Sequence, residues 1–327
     1  MIVSTIFKQK LEKIRYEKSS KEITKIKIQE LRNKYEKVLN VKKEIDDLEN
    51  TLTQLHKAFQ YVDSSNFYLD ITLGLSRELN LWKASKIPMD YFFKKYDKLR
   101  NNFDCIPTEN KFFRIEQNSD VLGCVSKRRK TWIEHKDVDY HIWLDTDIIF
   151  DERTLAYIDT SIQSIDKEHP YSIVTPEIVK VWDSTWDCLV NYDFLNQPLD
   201  YQKTNNPYKD SGIKGDISVE TIYNNIPNQP AMKFAGGWFT CISKKLLDEV
   251  TIPDSLGHYG LEDTYIMWWC YHHKKGKQFK IRNLVVCENY RYRNNEHIST
   301  NIANIDRREE FKKQAEIGFQ SEVKKWS

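Results

Sequence analysis

Two aspartates, Asp145 and Asp147, interrupt an otherwise apolar segment of the chain, HIWLDTDIIFDE at 141–152. Side chains two positions apart in an extended chain point to the same side. Paired carboxylates at the end of a buried strand can hold a hard cation such as Mg²⁺ or Mn²⁺, which keeps coordination positions for phosphate oxygens. Such an ion can neutralise a departing diphosphate. A plain turn between a strand and a helix would use the same residues, because aspartate is common in turns.

A second acidic pair, Glu262 and Asp263, ends the segment LGHYGLED (256–263), directly before the apolar segment TYIMWWC. In a group transfer, one of these carboxylates could act as the general base that takes the proton of an acceptor hydroxyl. Acidic residues are also favoured in the first turn of a helix, where they offset the helix dipole. The two roles are compatible, and the sequence supports both.

Glycines and aromatic residues accompany the second acidic pair. Gly236 and Gly237 precede Trp238 in the segment FAGGWFTCIS, and Tyr259 lies in the loop before Glu262. A backbone without Cβ atoms can approach a sugar or a phosphate closely. The rings of Trp238 and Tyr259 offer flat apolar faces for a sugar ring, and either ring could equally belong to the core.

The elements that must position these residues alternate between short apolar segments and amphipathic ones, a pattern typical of an α/β sheet flanked by helices. The segment 190–230 is rich in Asn, Pro, Asp and Tyr, and it is predicted to be a long loop. The predicted strands lie at 67–75, 111–117, 140–147, 171–179, 233–243 and 280–289. The predicted helices lie at 86–99, 124–136, 152–165 and 244–250, at the apolar segment after Asp263, and from 305 onwards.

The first 62 residues have a different texture, with no Gly, Pro or Trp among residues 1–60. Apolar residues fall at 38, 41, 45, 48, 52, 55 and 59, and this alternation of three and four predicts a helix with a coiled-coil-like seam. The seam could pair with a second copy and form a homo-oligomer, or it could lie on the domain of its own chain. The sequence leaves both arrangements open.

Composition excludes several classes of protein. The chain has 327 residues, enough for one large α/β domain or two smaller ones, and its net charge is +2. That balance gives no case for general binding of nucleic acid. The six cysteines have no CxxC spacing, which argues against a zinc ribbon or a small disulfide scaffold and favours reduced thiols. We find no signal peptide and no apolar run of about 20 residues, so the sequence predicts a soluble, cytoplasmic protein.

Three segments resemble glycosyltransferases of the GT-A fold, which use nucleotide-sugar donors. DYHIWLDTDIIFDERTL resembles their DxD segment. FAGGWFTCISKKLLDEVTIPDSLGHYGLEDTYIMWW resembles the C-terminal block of galactosyl- and N-acetylgalactosaminyltransferases, with Tyr259 where that family often has Trp. His297, in RNNEHIST, falls where many such enzymes place a further metal ligand. The resemblance implies a transferase domain at 63–304, between a helical extension at 1–62 and a C-terminal helix at 305–327.

The resemblance also implies a role for each motif. Asp263 would be the catalytic base, with Glu262 beside it on sugar hydroxyls, and the sugar of a nucleotide donor, UDP by preference, would pass to an acceptor hydroxyl with inversion. Arg128 and Arg129 would meet the donor phosphates, although a solvated helix face also explains such a basic run. The metal ligands, for Mn²⁺ or Mg²⁺, would be Asp145, Asp147 and His297. The donor-binding residues would be Asp145, Gly236, Gly237, Trp238, Tyr259, Arg128 and Arg129.

Other functions remain open at the level of the sequence. A metal-dependent nucleotidyltransferase or phosphodiesterase would also use paired aspartates on a strand, but it would need neither the Gly-Gly segment nor the GLED segment. An inactive transferase-like scaffold would oligomerise through its N-terminal helix. The acceptor of a transferase could be a glycan, a lipid-linked sugar, a protein or a modified nucleic acid, and the lack of an anchor favours a bacterial or viral origin.

Overall fold

The structure is a computed structural model, and it describes residues 47–75, 89–109, 111–117, 137–145, 148–165, 167–179, 206–223, 239–257, 260–273, 275–288 and 305–326. The helices of this part of the chain are α1 (47–58), α2 (Met89–Asp104), α3 (Thr154–Ile165), α4 (Pro207–Asp210), α5 (Lys244–Val250), α6 (Glu262–His273) and α7 (Ile305–Lys324). The strands are β1 (Leu69–Leu75), β2 (Lys111–Gln117), β3 (Tyr140–Leu144), β4 (Ile148–Ile149), β5 (Ser172–Val179), β6 (Gly212–Tyr223), β7 (Phe239–Ser243) and β8 (Lys277–Glu288).

The strands form one mixed sheet and one parallel pair. Strands β1 and β2 run parallel to each other. The larger sheet has the order β3-β7-β5-β8-β4, and β6 also pairs with β8. Strand β7 is antiparallel to both β3 and β5, while β5 and β8 are parallel. The prediction of a mixed α/β sheet flanked by helices is therefore confirmed.

Alternation along the strands divides the core between the two faces of this sheet. On one face, Ile142 packs with Cys241 and Val174, which occupy the matching positions of β7 and β5. On the other face, Trp143 belongs to a separate cluster with Ile242 and Ile173. Helices α1, α2 and α3 cover the first face, and helices α5, α6 and α7 cover the second. We call these the α1 face and the α6 face.

Helix α1 and the 3₁₀ turn that follows it (Phe59–Tyr61) contain the last part of the predicted coiled-coil-like seam. The seam residues Leu48, Leu52, Leu55 and Phe59 are all buried, with exposures of 6%, 0%, 5% and 4%. They belong to the cluster of the α1 face, together with residues of β4 and β7. This part of the seam therefore lies on the domain of its own chain. The upstream part of the seam lies outside the described residues.

The prediction of a long loop at 190–230 is wrong for residues 207–223, which form α4 and β6. The Asn206 side chain accepts a hydrogen bond from the Lys209 N–H and starts α4. Strand β6 pairs with β8, but its register shifts between Ile213 and Ser218. The glycine and aspartate that resemble a turn in the sequence fall in this irregular stretch, and the β-branched residues that follow supply the strand.

The other predicted elements agree with the structure within a few residues. Helix α2 ends at Asp104, later than predicted, and α5 has the predicted bounds. The predicted basic helix at 124–136 lies outside the described residues. In the part of the chain that the structure describes, no helix combines the length and the apolar character needed to cross a membrane.

Candidate active site

Asp145 directly follows β3, which ends at Leu144, whereas the predicted strand included Asp145; its side chain is partly buried. Its backbone carbonyl accepts a hydrogen bond from the Ile148 N–H at 3.4 Å, which closes the chain around the Asp-Thr-Asp segment. Trp143, two residues earlier, points into the α6 face. If the alternation of β3 continues by one residue, the Asp145 side chain lies on that same face. Asp147 lies outside the described residues.

The register of β3 and β7 places the end of β3, next to Asp145, beside the start of β7. Leu144, the last residue of β3, pairs with Phe239, the first residue of β7. The three residues that precede Phe239 in the chain are Gly236, Gly237 and Trp238, and they lie outside the described residues. The end of β3 and the start of β7 therefore lie side by side, although 94 positions separate Asp145 from Phe239 in the sequence.

Glu262 and Asp263 are the first two residues of helix α6. Glu262 is only 1% exposed, whereas Asp263 is partly exposed. Asp263 Oδ1 accepts hydrogen bonds from the N–H and the hydroxyl of Thr264, at 2.6 and 3.3 Å. The acids therefore occupy the positive end of the helix, where their charge is stabilised. Of the two, Asp263 is the more accessible to a molecule in solvent.

The loop before α6 has an unusual backbone. Gly257 and Gly260 have φ angles of 72° and 80°, and Leu261 has a φ of 66° although it is not a glycine. A non-glycine residue in the left-handed region costs about 1–3 kcal/mol, and such residues are concentrated at functional sites. Leu261 is held there by its burial on the α6 face, where it is 2% exposed. This backbone conformation fixes the direction in which Glu262 and Asp263 enter the helix. Tyr259, which precedes Gly260 in the sequence, lies outside the described residues.

Gln54 of helix α1 contacts the chain directly after the Asp-Thr-Asp segment, and nothing in the sequence indicates this. Its Oε1 accepts a hydrogen bond from the Phe150 N–H at 2.8 Å. Its Nε2 donates to the carbonyl of Ile148 at 3.2 Å, and also to the carbonyl of Asn50 at 3.4 Å. The amide thus binds two backbone groups of the β4 region in the way that a neighbouring strand would.

His141 lies near the start of β3, in register with Ile242 of the α6 face. Its Nε2 atom is buried and has no hydrogen-bond partner among the described residues. Burial lowers the pKa of His141 from 6.5 to about 4, with a further lowering by the charge of Lys244 that Asp248 partly opposes. The imidazole is therefore neutral at physiological pH. It is too distant along β3 from Asp145 to be assigned to the same site.

One residue of the predicted metal site, Asp145, belongs to the described part of the chain. Asp145 fits this site, because it supplies a partly buried carboxylate at the end of a strand, and hard divalent cations prefer oxygen ligands. His297, Arg128 and Arg129 lie outside the described residues, as Asp147 does. Within the described ranges, no three His, Cys, Asp or Glu side chains are grouped so that they could hold a metal ion.

The four cysteines in the described ranges, Cys105, Cys241, Cys270 and Cys287, are free thiols. Burial raises the pKa of the Cys241 and Cys270 thiols far above the usual range, so they act as small core residues.

Comparison with models of known protein families finds none that matches this chain. Comparison with curated proteins likewise finds no match.

Proposed function

We propose that this chain is a metal-dependent glycosyltransferase with a GT-A-type domain. It would move a sugar from a nucleotide-diphosphate sugar, UDP by preference, to an acceptor hydroxyl with inversion. Mn²⁺ or Mg²⁺ would be bound by Asp145, Asp147 and His297. The acceptor class remains one of those set out above, and we propose that the enzyme acts in the cytoplasm.

The observation that best supports this proposal is the pairing of Leu144 with Phe239. It brings the end of the DxD strand and the start of the strand after the Gly-Gly segment to the same edge of the sheet. Helix α6, which begins with Glu262 and Asp263, covers the face into which Trp143 points. A nucleotidyltransferase or phosphodiesterase would also use paired aspartates on a strand, but it would need neither the Gly-Gly segment nor the GLED segment.

The chemistry assigned to each residue follows from its position. Asp263, partly exposed in the first turn of α6, would take the proton of the acceptor hydroxyl as its oxygen attacks the anomeric carbon. Glu262, buried beside it, would orient the base or bind sugar hydroxyls. The strained Leu261 would keep both carboxylates in place while the acceptor binds. A bound divalent cation would supply charge neutralisation for the departing diphosphate.

The scaffold alternative has less support from the described part of the chain. Four seam residues, three in α1 and Phe59 directly after it, are buried on their own domain and are not available to a second copy. Pairing of two chains would therefore depend on residues upstream of 47. We retain a homo-oligomer formed through that upstream segment as part of the proposal, since it is compatible with transferase activity.

The experiment that tests the function is a screen of nucleotide release in the presence of Mn²⁺. UDP-, GDP- and other nucleotide-sugars are incubated with the chain, without acceptor, and the freed nucleotide is measured. We expect slow release from one donor, lost in Asp147→Ala and retained in Asp97→Ala, because Asp97 is exposed on α2 and far from the motifs in sequence. With an acceptor, Asp263→Asn should lower transfer by about 10²–10⁴-fold. No turnover and no thermal shift with any donor would reject the proposal in favour of the scaffold.

A further inference from the structure

We infer that Gln54 is a positioning residue for Asp145, acting through the backbone of Ile148, so that helix α1 contributes to the geometry of the proposed metal site. This inference rests on the proposed function. It goes beyond it because the segment 1–62 lies outside the resemblance to glycosyltransferases, and Gln54 belongs to that segment.

The Gln54 amide is fixed at both ends. Its carbonyl oxygen must face the Phe150 N–H, since only an acceptor can bind there, and its amino group then faces the Ile148 carbonyl. The second amino hydrogen is directed to the carbonyl of Asn50, within α1 itself. The side chain therefore links the rigid backbone of a helix to two backbone groups of the β4 region.

The helix that carries Gln54 is itself immobilised by packing. Leu52 and Leu55 lie two positions before and one position after Gln54, and they are 0% and 5% exposed. Both belong to the same cluster as Ile148 and Phe150. Ile148 also donates its N–H to the Asp145 carbonyl. Gln54 thus holds the residue whose N–H is hydrogen-bonded to the backbone of Asp145.

Loss of the hydrogen bonds of Gln54 should change the orientation of the proposed metal ligands without removing any ligand. Groups that orient metal ligands from outside typically contribute about 10–100-fold to metal affinity. Replacement of Gln54 by methionine keeps the length, the volume and the helix propensity of the side chain, but it removes both hydrogen bonds to the β4 region. We therefore expect Gln54→Met to bind Mn²⁺ in the presence of UDP about tenfold more weakly.

The test measures Mn²⁺ affinity directly, from the electron paramagnetic resonance signal of free Mn²⁺ in titrations with saturating UDP. The full chain is compared as wild type, Gln54→Met and Gln60→Ala. Gln60 is a matched control, because it is exposed and its amide donates to the His56 carbonyl of its own segment. All titrations are made at a temperature at which thermal denaturation shows that each variant is folded. If Gln54 has a purely structural role, Gln54→Met will lower the melting temperature and leave the Mn²⁺ affinity of the folded chain unchanged.

The outcomes separate this inference from the function on which it depends. If the wild type itself binds no Mn²⁺ with UDP, and none with GDP or another nucleoside diphosphate in its place, the proposed function fails, and the positioning role fails with it. If the wild type binds and Gln54→Met binds equally well, only the positioning role is overturned. If Gln54→Met does not fold, Gln54→Asn replaces it: the amide is one methylene shorter and cannot span both backbone groups, so weaker Mn²⁺ binding supports the inference and unchanged binding overturns it.

Discussion

Helices α1 and α7 lie on opposite faces of the sheet, and each contacts the chain next to one of the predicted acidic motifs. On the α1 face, Gln54 binds the backbone of Ile148 and Phe150, directly after the Asp-Thr-Asp segment. On the α6 face, α7 contacts residues 254–257, directly before the loop that leads to Glu262 and Asp263. The two helices thus support the two halves of the proposed site.

The contact of α7 differs in kind from that of α1. A Cβ atom added at Gly318 would lie 1.9 Å from the Ser255 carbonyl oxygen, so the backbones of helix and loop touch directly. The Ser255 hydroxyl donates to Glu322 at 2.7 Å. Near the end of the chain, the Trp326 ring stacks on Trp268 of α6, with centroids 4.5 Å apart.

This difference determines which support can be altered without unfolding the chain. The hydrogen bonds of α1 to the β4 region pass through one partly buried side chain, so one isosteric substitution can remove them. The contact of α7 is made by backbone atoms, and Trp326, two residues beyond the helix, stacks on Trp268, so any change that breaks these contacts also disturbs the core of the α6 face. Function-specific effects are therefore expected at α1, and effects on folding are expected at both.

The largest effect tests whether α1 is an integral part of the domain. Leu52 is completely buried in the cluster of the α1 face. We expect Leu52→Ala to lower the free energy of unfolding by about 3–5 kcal/mol, because the missing atoms leave a cavity among residues of β4 and β7. Lys57→Ala, at an exposed position of the same helix, should change it by less than about 0.5 kcal/mol. Urea denaturation followed by circular dichroism measures both.

A loss below about 1 kcal/mol for Leu52→Ala would mean that α1 separates from the sheet at little cost. Helix α1 would then not be an integral part of the domain. Of the two helices, only α7 would support the chain next to a predicted acidic motif.

The second effect tests the backbone contact of α7. Replacement of glycine by alanine inside a helix usually stabilises it by up to about 1 kcal/mol. Gly318→Ala should instead destabilise the chain by about 2–3 kcal/mol, since its Cβ would collide with the Ser255 carbonyl and force helix and loop apart. Ser321→Ala, at an exposed position of the same helix, is the control and should be neutral or slightly stabilising. Stabilisation by Gly318→Ala would show that α7 does not press on this loop.

The elements of this fold are more predictable from the sequence than its contacts. Strand β2 and helix α5 have the predicted bounds, because each is a short run with one clear period between polar breaks. Strand β6 was missed because Gly215 and Asp216, which resemble a turn, fall where its register shifts. A local pattern indicates which period a segment has, but it does not indicate that a bulge can absorb turn-like residues within a strand.

In the candidate site, too, the elements are predictable from the sequence and the long-range contacts are not. Asp145, Glu262 and Asp263 lie at the strand end and helix start that their local patterns predict. Gln54 has no such signature, because its partners at 148 and 150 lie more than 90 positions away. Gly318 is similar: a glycine inside a helical pattern indicates only a weak point in the helix, and its reason is the carbonyl of a residue 63 positions earlier. Long-range contacts of single residues are decided by the tertiary fold, which periodicity does not encode.

The smallest effect concerns the α6 face and depends on pH. Because burial lowers the pKa of His141 to about 4, the unfolded chain, with a pKa near 6.5, takes up the proton first as the pH falls. The unfolded state therefore binds more protons between these two values, and stability falls as the pH decreases from about 6.5 to 4. For a partly exposed ring we expect a loss of about 1–2 kcal/mol between pH 7 and pH 5 that is absent from His141→Gln. Urea denaturation of both proteins at the two pH values measures it, with His169→Gln as the control that should keep the loss. An equal loss in His141→Gln would mean that the ring is hydrated or paired in solution, and that β3 is less closely covered on the α6 face than on the α1 face.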